Sequence, residues 1–216
     1  MRRKRKMPEP YSLADLVISQ LTRAAARLET DTKKQLLISG FDDLNVMWLV
    51  NKLYVDIDRV FRQRCKELFY LRYWEVRHWL GTDDEDEIDE LFEMYLAGLL
   101  GKPNEVLHYT YDTELLRKRD RMKEAIIAVP TKAQKQIEMD KQLRFLLQMM
   151  TWFVDFVSQD AEIQAMIDEG VREVERHEMK DSKTCRPCRD ADGEIYPIDE
   201  IPPLPHPRCR RWFTPV

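Results

Sequence analysis

The sequence predicts a mainly α protein: a multi-helix body with a small C-terminal β-containing, zinc-knuckle-like module. Three observations predict it. Before Gly170, apolar residues recur three and four apart, the period of helices that bury one face. Seven of the 11 prolines lie beyond residue 180. Three of the four cysteines lie in the last 32 residues. The composition thus divides the chain into a basic arm (1–11), a helical body (12–170) and a Cys/His knuckle module (171–216).

The arm opens Met-Arg-Arg-Lys-Arg-Lys and contains Pro8 and Pro10. It reads as a flexible terminus that is either simply solvated or touches nucleic acid or an acidic partner. Lacking an apolar stretch with a small-residue cleavage site, it does not read as a secretory signal. Synthesis in a reducing cytoplasm is the expectation. With 44% hydrophobic and 34% charged residues, the 216-residue chain belongs to the globular rather than the disordered class. No run approaches the length of an apolar membrane span. A net charge of −4 argues against coating nucleic acid with the whole surface, though not against a local basic patch.

In the body, Ser12 caps a helix over 13–28, with Leu13, Leu16, Val17, Leu21, Ala24 and Leu28 on one stripe. Residues 31–41 read as a break holding one short turn at Lys34–Ile38. A long helix spans 43–80, with Met47, Trp48, Tyr54, Ile57, Phe61, Cys65 and Leu68 at helical spacing. Cys65 reads as a packed thiol. Phe69, Tyr70, Tyr73, Trp74 and Trp79 crowd the helix end, either as core or as a protein–protein contact. Thr82 caps a helix over 83–100, whose early acids suit its N-terminal dipole better than a carboxylate metal site. Residues 102–111 form a connector with a short strand at Val106–Tyr111. The helix over 113–128 carries Arg117, Lys118, Arg119, Arg121 and Lys123 and stops before Pro130. Its basic side is either a solvated face or a phosphate- or partner-contacting one. Met139, Leu143, Leu146, Met150, Phe153 and Val157 form a seam on a helix over 132–157. A short helix over 160–169 ends at Gly170.

The tail carries the chemistry. Val171–Met179 suits an exposed or edge strand. Cys185 and Cys188 are two residues apart, a gap that lets both thiolates reach one tetrahedral metal. Asp192-Gly193 signals a tight turn and a hairpin after this pair. Seventeen residues separate Cys188 from His206, and Cys209 follows at another two-residue gap. Cys185, Cys188, His206 and Cys209 would close a four-coordinate structural zinc site with no open position. Packed thiols without metal and a redox disulfide are the competing readings; the latter usually sits at a helix start in a βαβ setting. The four prolines between Ile201 and Pro207 stiffen the approach to His206. Residues 210–216 are expected to return as a strand beside 172–179. His177 reads as a strand histidine near the knuckle, serving as a hydrogen-bond partner.

Three segments carry a family likeness: Asp181-x-Lys183-Thr184-Cys185-x-x-Cys188, then Asp192-Gly193-x-Ile195-Tyr196-Pro197-Ile198-Asp199, then Ile201–Arg210 with a Pro215-Val216 close. Together they resemble the phage Mu F-like minor head protein family, also called phage head morphogenesis proteins. The stretch from His108 to Ala125, with Tyr111, Glu114 and Arg117-Lys118-Arg119, is similar to a helix of minor capsid proteins from phages of Gram-positive hosts. The likeness covers about 105–216. The family commonly reads Cys-Arg-Cys near its end, whereas here the last position is Arg211. The resemblance implies a low-copy virion protein of the phage head interior, made in the bacterial host cytoplasm. It would associate with portal protein, or with a major capsid or scaffold protein, and aid head assembly or DNA delivery. It implies no reaction and at most weak DNA contact through the arm and the basic helix.

Two other functions compete. A zinc-stabilised nuclease would need a further acid or histidine cluster, for which His177, Glu178 and Asp181 are the best candidates. A zinc-binding DNA module would need a recognition helix after the knuckle, where none is evident.

Overall fold

The computed structural model describes residues 11–82, 92, 111–179, 182, 184–202 and 209–216. Among these residues it is mainly helical, with a three-stranded antiparallel sheet near the C-terminus. The helices are α1 (Ser12–Ser39), α2 (Asp43–Leu80), α3 (Tyr111–Ile127), α4 (Lys132–Asp168) and the short α5 (Arg186–Asp190). The strands are β1 (Glu173–Glu178), β2 (Ile195–Pro197) and β3 (Arg211–Pro215). The arm residues 1–10, the connector 102–110 and, except Phe92, the helix expected over 83–100 lie outside the described residues. Phe92 is helical and buried.

Two differences from the sequence reading concern breaks that do not occur. Helix α1 runs unbroken through 31–39. Thr30 and Thr32 suggest a turn because their hydroxyls compete for backbone, yet here they donate to Ala26 O and Leu28 O within the helix at 2.8 Å. Thr32 and Leu36 are buried, so packing overrides the weak local propensity. Likewise α4 passes through Ser158-Gln159-Asp160 without a stop. Ser158, Gln159 and Glu162 are polar residues on a buried face, flanked by the buried Val157, Ala161 and Ile163.

Glycine ends three of the long helices. Gly81 sits at φ 111°; its N–H donates to His78 O at 3.2 Å, and Thr82 N donates to Arg77 O at 3.0 Å. Gly170 repeats this cap with Ile167 O and Met166 O, and Gly40 uses one bond, to Leu36 O. At Gly40 (φ 99°) an added Cβ would meet nothing nearer than Asp42 Oδ2 at 3.5 Å. Gly40→Ala therefore isolates backbone strain from steric clash. We expect a stability loss of about 1–2 kcal/mol, read by urea denaturation, with helix content unchanged.

The chain divides into two compact units. The first comprises 17–65 and 109–153. Its core draws Val46, Leu49, Val50, Leu53, Ile57 and Phe61 from α2, Met122 and Ile126 from α3, and Met139, Leu143, Leu146 and Met150 from α4. The four from α4 belong to its expected seam. Tyr111 starts α3 rather than ending a strand; it stacks on Phe61 at 4.3 Å and meets Phe153 edge-on at 5.2 Å. Cys65 is buried, as its helical position suggested.

The second unit comprises 1–16, 66–108 and 154–216. The aromatics near the end of α2 divide here: Phe69 and Tyr73 are core, while Tyr70, Trp74 and Trp79 are half-buried. Tyr11, at the end of the arm, is buried, and its hydroxyl donates to Arg211 O.

The sheet order is β2-β1-β3, so β1 is the central strand, not an exposed or edge one. Its alternation buries Val174, Arg176 and Glu178. Two of these inward residues are charged, which gave the strand its exposed look. They are opposite charges two apart on one face, and Arg176 donates to Glu178 Oε1 at 2.8 and 2.5 Å. Strand β3 pairs with β1 as expected, with Glu178 opposite Arg211 and Val174 opposite Pro215. The Asp192-Gly193 turn forms, with Gly193 at φ 87° donating to Arg176 O. The strand after it, β2, pairs back to β1. The cysteine pair therefore lies inside the β1–β2 connection rather than ahead of a separate hairpin.

Candidate metal centre

The centre forms where β1 ends. The β1 alternation points Glu178 inward, and the β1–β3 register brings the chain before Arg211 alongside, with Met179 N donating to Arg210 O at 3.3 Å. Cys209, just ahead of β3, is thereby delivered to the buried face. From the other side, Cys185 immediately precedes α5 and Cys188 lies within it. Pro187 near the helix start supplies no N–H, which the first helical turn does not need. Asp192 fastens this connection to β1 by accepting Glu178 N at 2.9 Å.

The sulfurs of Cys188 and Cys209 are 3.6 Å apart, and both residues are buried. Donor atoms of Glu178, Cys188 and Cys209 all lie within 4.8 Å of one another, so this buried group can hold a metal ion. Cys185 borders the group, half-buried, with its side chain hydrogen-bonded to that of Cys188. None of the four cysteines is in a disulfide. Of the four ligands expected from sequence, two converge, a third adjoins them, and His206 lies outside the described residues. Glu178 is the member that spacing alone did not single out as a ligand. The signal was available: counting in twos from the apolar Val174 puts Glu178 on its face.

The electrostatics favour a cation. Burial pushes the Cys188 thiol well up, and its Cys185 and Cys209 neighbours push it further. Burial also raises Cys209, with the Glu178 carboxylate adding to the effect. Glu178 itself is raised by burial, which the Arg176 and Arg211 guanidiniums only partly offset. Three neighbouring acids thus resist ionisation together, and a bound cation relieves all three at once. The donor set therefore fits a metal.

Of the competing cluster, His177 and Glu178 are described and Asp181 lies outside the described residues. His177 and Glu178 point to opposite faces of β1. His177 hydrogen-bonds Thr214 through Nε2 at 2.7 Å and stacks on Trp212 at 5.4 Å. Its partner is thus on β3, not among the thiols. On α3 the basic run is laced with acids: Arg117 pairs with Glu114 at 2.7 Å, while Arg119 and Lys123 share Asp120 at 2.9 and 3.1 Å. No helix among the described residues is long and apolar enough to cross a membrane. No protein-family model, curated protein or solved structure matches this chain.

Proposed function

We propose that the chain is a low-copy phage minor head protein with a structural zinc knuckle. In this reading it associates with portal protein, or with a major capsid or scaffold protein, inside the head. It aids assembly or DNA delivery and catalyses no reaction itself. Weak DNA contact through the arm and α3 belongs to the same proposal, and it should fall steeply with salt.

The observation that carries the zinc reading is the 3.6 Å separation of two buried sulfurs. A tetrahedral ion with metal–sulfur bonds of about 2.3 Å holds its sulfurs about 3.8 Å apart. A disulfide would need about 2.05 Å. Cys185 and His206 complete the proposed four, and Glu178 with Arg176 stands beside them as a charge partner. The phage reading rests on the motifs at 181–216 and 108–125. The module's design is compatible with it: a thiolate-rich closed centre staples a short sheet that has few apolar residues of its own.

The test is fractionation of an infected host. We expect the chain in procapsids and virions at a few copies per head, retained with portal after mild disassembly, and one zinc per chain by elemental analysis. Absence from both particles would overturn the assembly role. Absence of zinc would overturn the metal alone.

A further inference from the structure

The N-terminal half of α2 is apolar on both sides. Its inner face buries Val46, Leu49, Val50, Leu53 and Ile57. Its outer face exposes Leu44 by 77%, Trp48 by 61%, Val55 by 58% and Met47 by 46%. Residues 44, 48 and 55 follow one line along a helix, with 47 beside it. A solvent-facing stripe is ordinarily polar, and a contiguous exposed apolar patch rimmed by charge marks an interaction surface. Further along the same line comes Arg59, its side chain 73% exposed and held only by Asp56 at 3.5 Å among the contacts on its own helix. At the opposite end of the stripe, Asp42 and Asp43 are exposed.

We propose that this face of α2 binds a second copy of the chain, in an antiparallel two-fold dimer. A two-fold contact requires that when residue i meets j, j also meets i. Setting Trp48 against Val55 of the second copy satisfies this and fixes the register. Leu44 then lies along the stem of the second copy's Arg59, whose guanidinium reaches Asp42 and Asp43. Trp48 and Val55 thus meet twice, Leu44 covers the Arg59 stem, and each basic end faces an acidic one. Near the axis lie Asn51 and Lys52; the Lys52 ammonium is already neutralised by Asp56 at 2.9 Å, so the two copies do not present bare like charges. Tryptophan is among the commonest interface anchors, and Arg stacks its stem well on apolar surface. One face of a single helix, about five turns from Asp42 to Arg59, offers less than the roughly 800 Å² per partner of a standard interface, so the dimer is weak and concentration-dependent. The charge pattern selects the second copy: a generic apolar partner would not need acids at one end and Arg59 at the other.

Sedimentation velocity of the full chain, from low micromolar to several hundred micromolar, tests it. The mass should rise from 25.9 kDa towards twice that value. Trp48→Glu should hold it at monomer with unchanged helical circular dichroism. Asp43→Arg and Arg59→Asp should each weaken association roughly tenfold, and the double swap should recover most of the loss. If Trp48→Glu fails to fold, the charge swaps still decide. A chain monomeric at every concentration, or a double swap no better than the singles, overturns the proposal. So does a monomer that uses this face only for a different protein. None of these outcomes depends on the metal or on the head assignment.

Discussion

Cys188→Ser should abolish the proposed stoichiometric metal binding and loosen the sheet and the β1–β2 connection, while the helices keep their own core. This is the largest effect we expect. The sulfur is the shared neighbour of Cys185 and Cys209, so its loss divides the donor set. Structural zinc contributes about 10–16 kcal/mol in small finger peptides, and the affinity loss should exceed the 10–100-fold cost of removing a mere supporting residue. Elemental analysis reads the metal, and hydrogen exchange over 184–202 reads the loosening. Cys65→Ser, remote in sequence and buried in the helical core, should change neither the metal content nor that exchange.

The pH dependence supplies an independent sign. In the metal-free fold, burial raises Cys188 and Cys209 above their unfolded values. Their contribution is then fully present below the ordinary thiol pKa of about 8.5, and is lost as pH rises through the folded values. The metal-bound form needs thiolates, so acid competes for the ligands and releases the ion. Metal-free protein should therefore lose the thiols' contribution at alkaline pH, and loaded protein should lose its metal at acid pH. A metal-dependent stability that does not fall with acidification would contradict thiolate ligation.

What the sequence made legible, and what it hid, follows from how local each signal is. Gly81 and Gly170 mark helix ends because a left-handed cap depends on a single residue type. The cysteine gaps announced a shared centre because two intervening residues are enough to turn a loop. The continuity of the helices through 31–39 and 158–159 is hidden for a non-local reason. Thr32 and Leu36 are buried by packing, and Gln159 and Glu162 find partners about fifty residues away. The same blindness made β1 look like an exposed strand. Arg176 and Glu178 satisfy each other on a buried face, so charge concealed the inward alternation and with it the carboxylate beside the thiols.

Glu162→Ala should be the most destabilising single change outside the metal centre, at about 3–5 kcal/mol by urea denaturation. Glu162 is 2% exposed and divides its carboxylate between two tasks. One oxygen accepts Arg72 Nη2 at 2.5 Å, and the other accepts the Phe213 N–H of β3 at 2.9 Å. Burial opposes the charge on Arg72, but the Glu162 carboxylate outweighs it and keeps the guanidinium firmly protonated. Among the described residues, removal leaves that charge with Glu75 alone, at 3.3 Å and partly exposed, and orphans a strand N–H, a loss of about 1–3 kcal/mol by itself. Glu162→Gln can keep the acceptor for Phe213 but not the countercharge, so it should fall between wild type and Ala. Arg72→Met with Glu162→Gln removes the buried charge and should recover part of the loss, giving a favourable coupling in the double-mutant cycle. The clamp also bears on the centre. Gln159, one turn earlier on α4, holds Cys209 O at 3.3 Å, and Phe213 lies four residues beyond Cys209. Freeing β3 from α4 should thus lower metal affinity about 10–100-fold although no ligand is touched. A Glu162→Ala protein as stable as wild type, or one that binds metal with undiminished affinity, would show that α4 does not position the thiols.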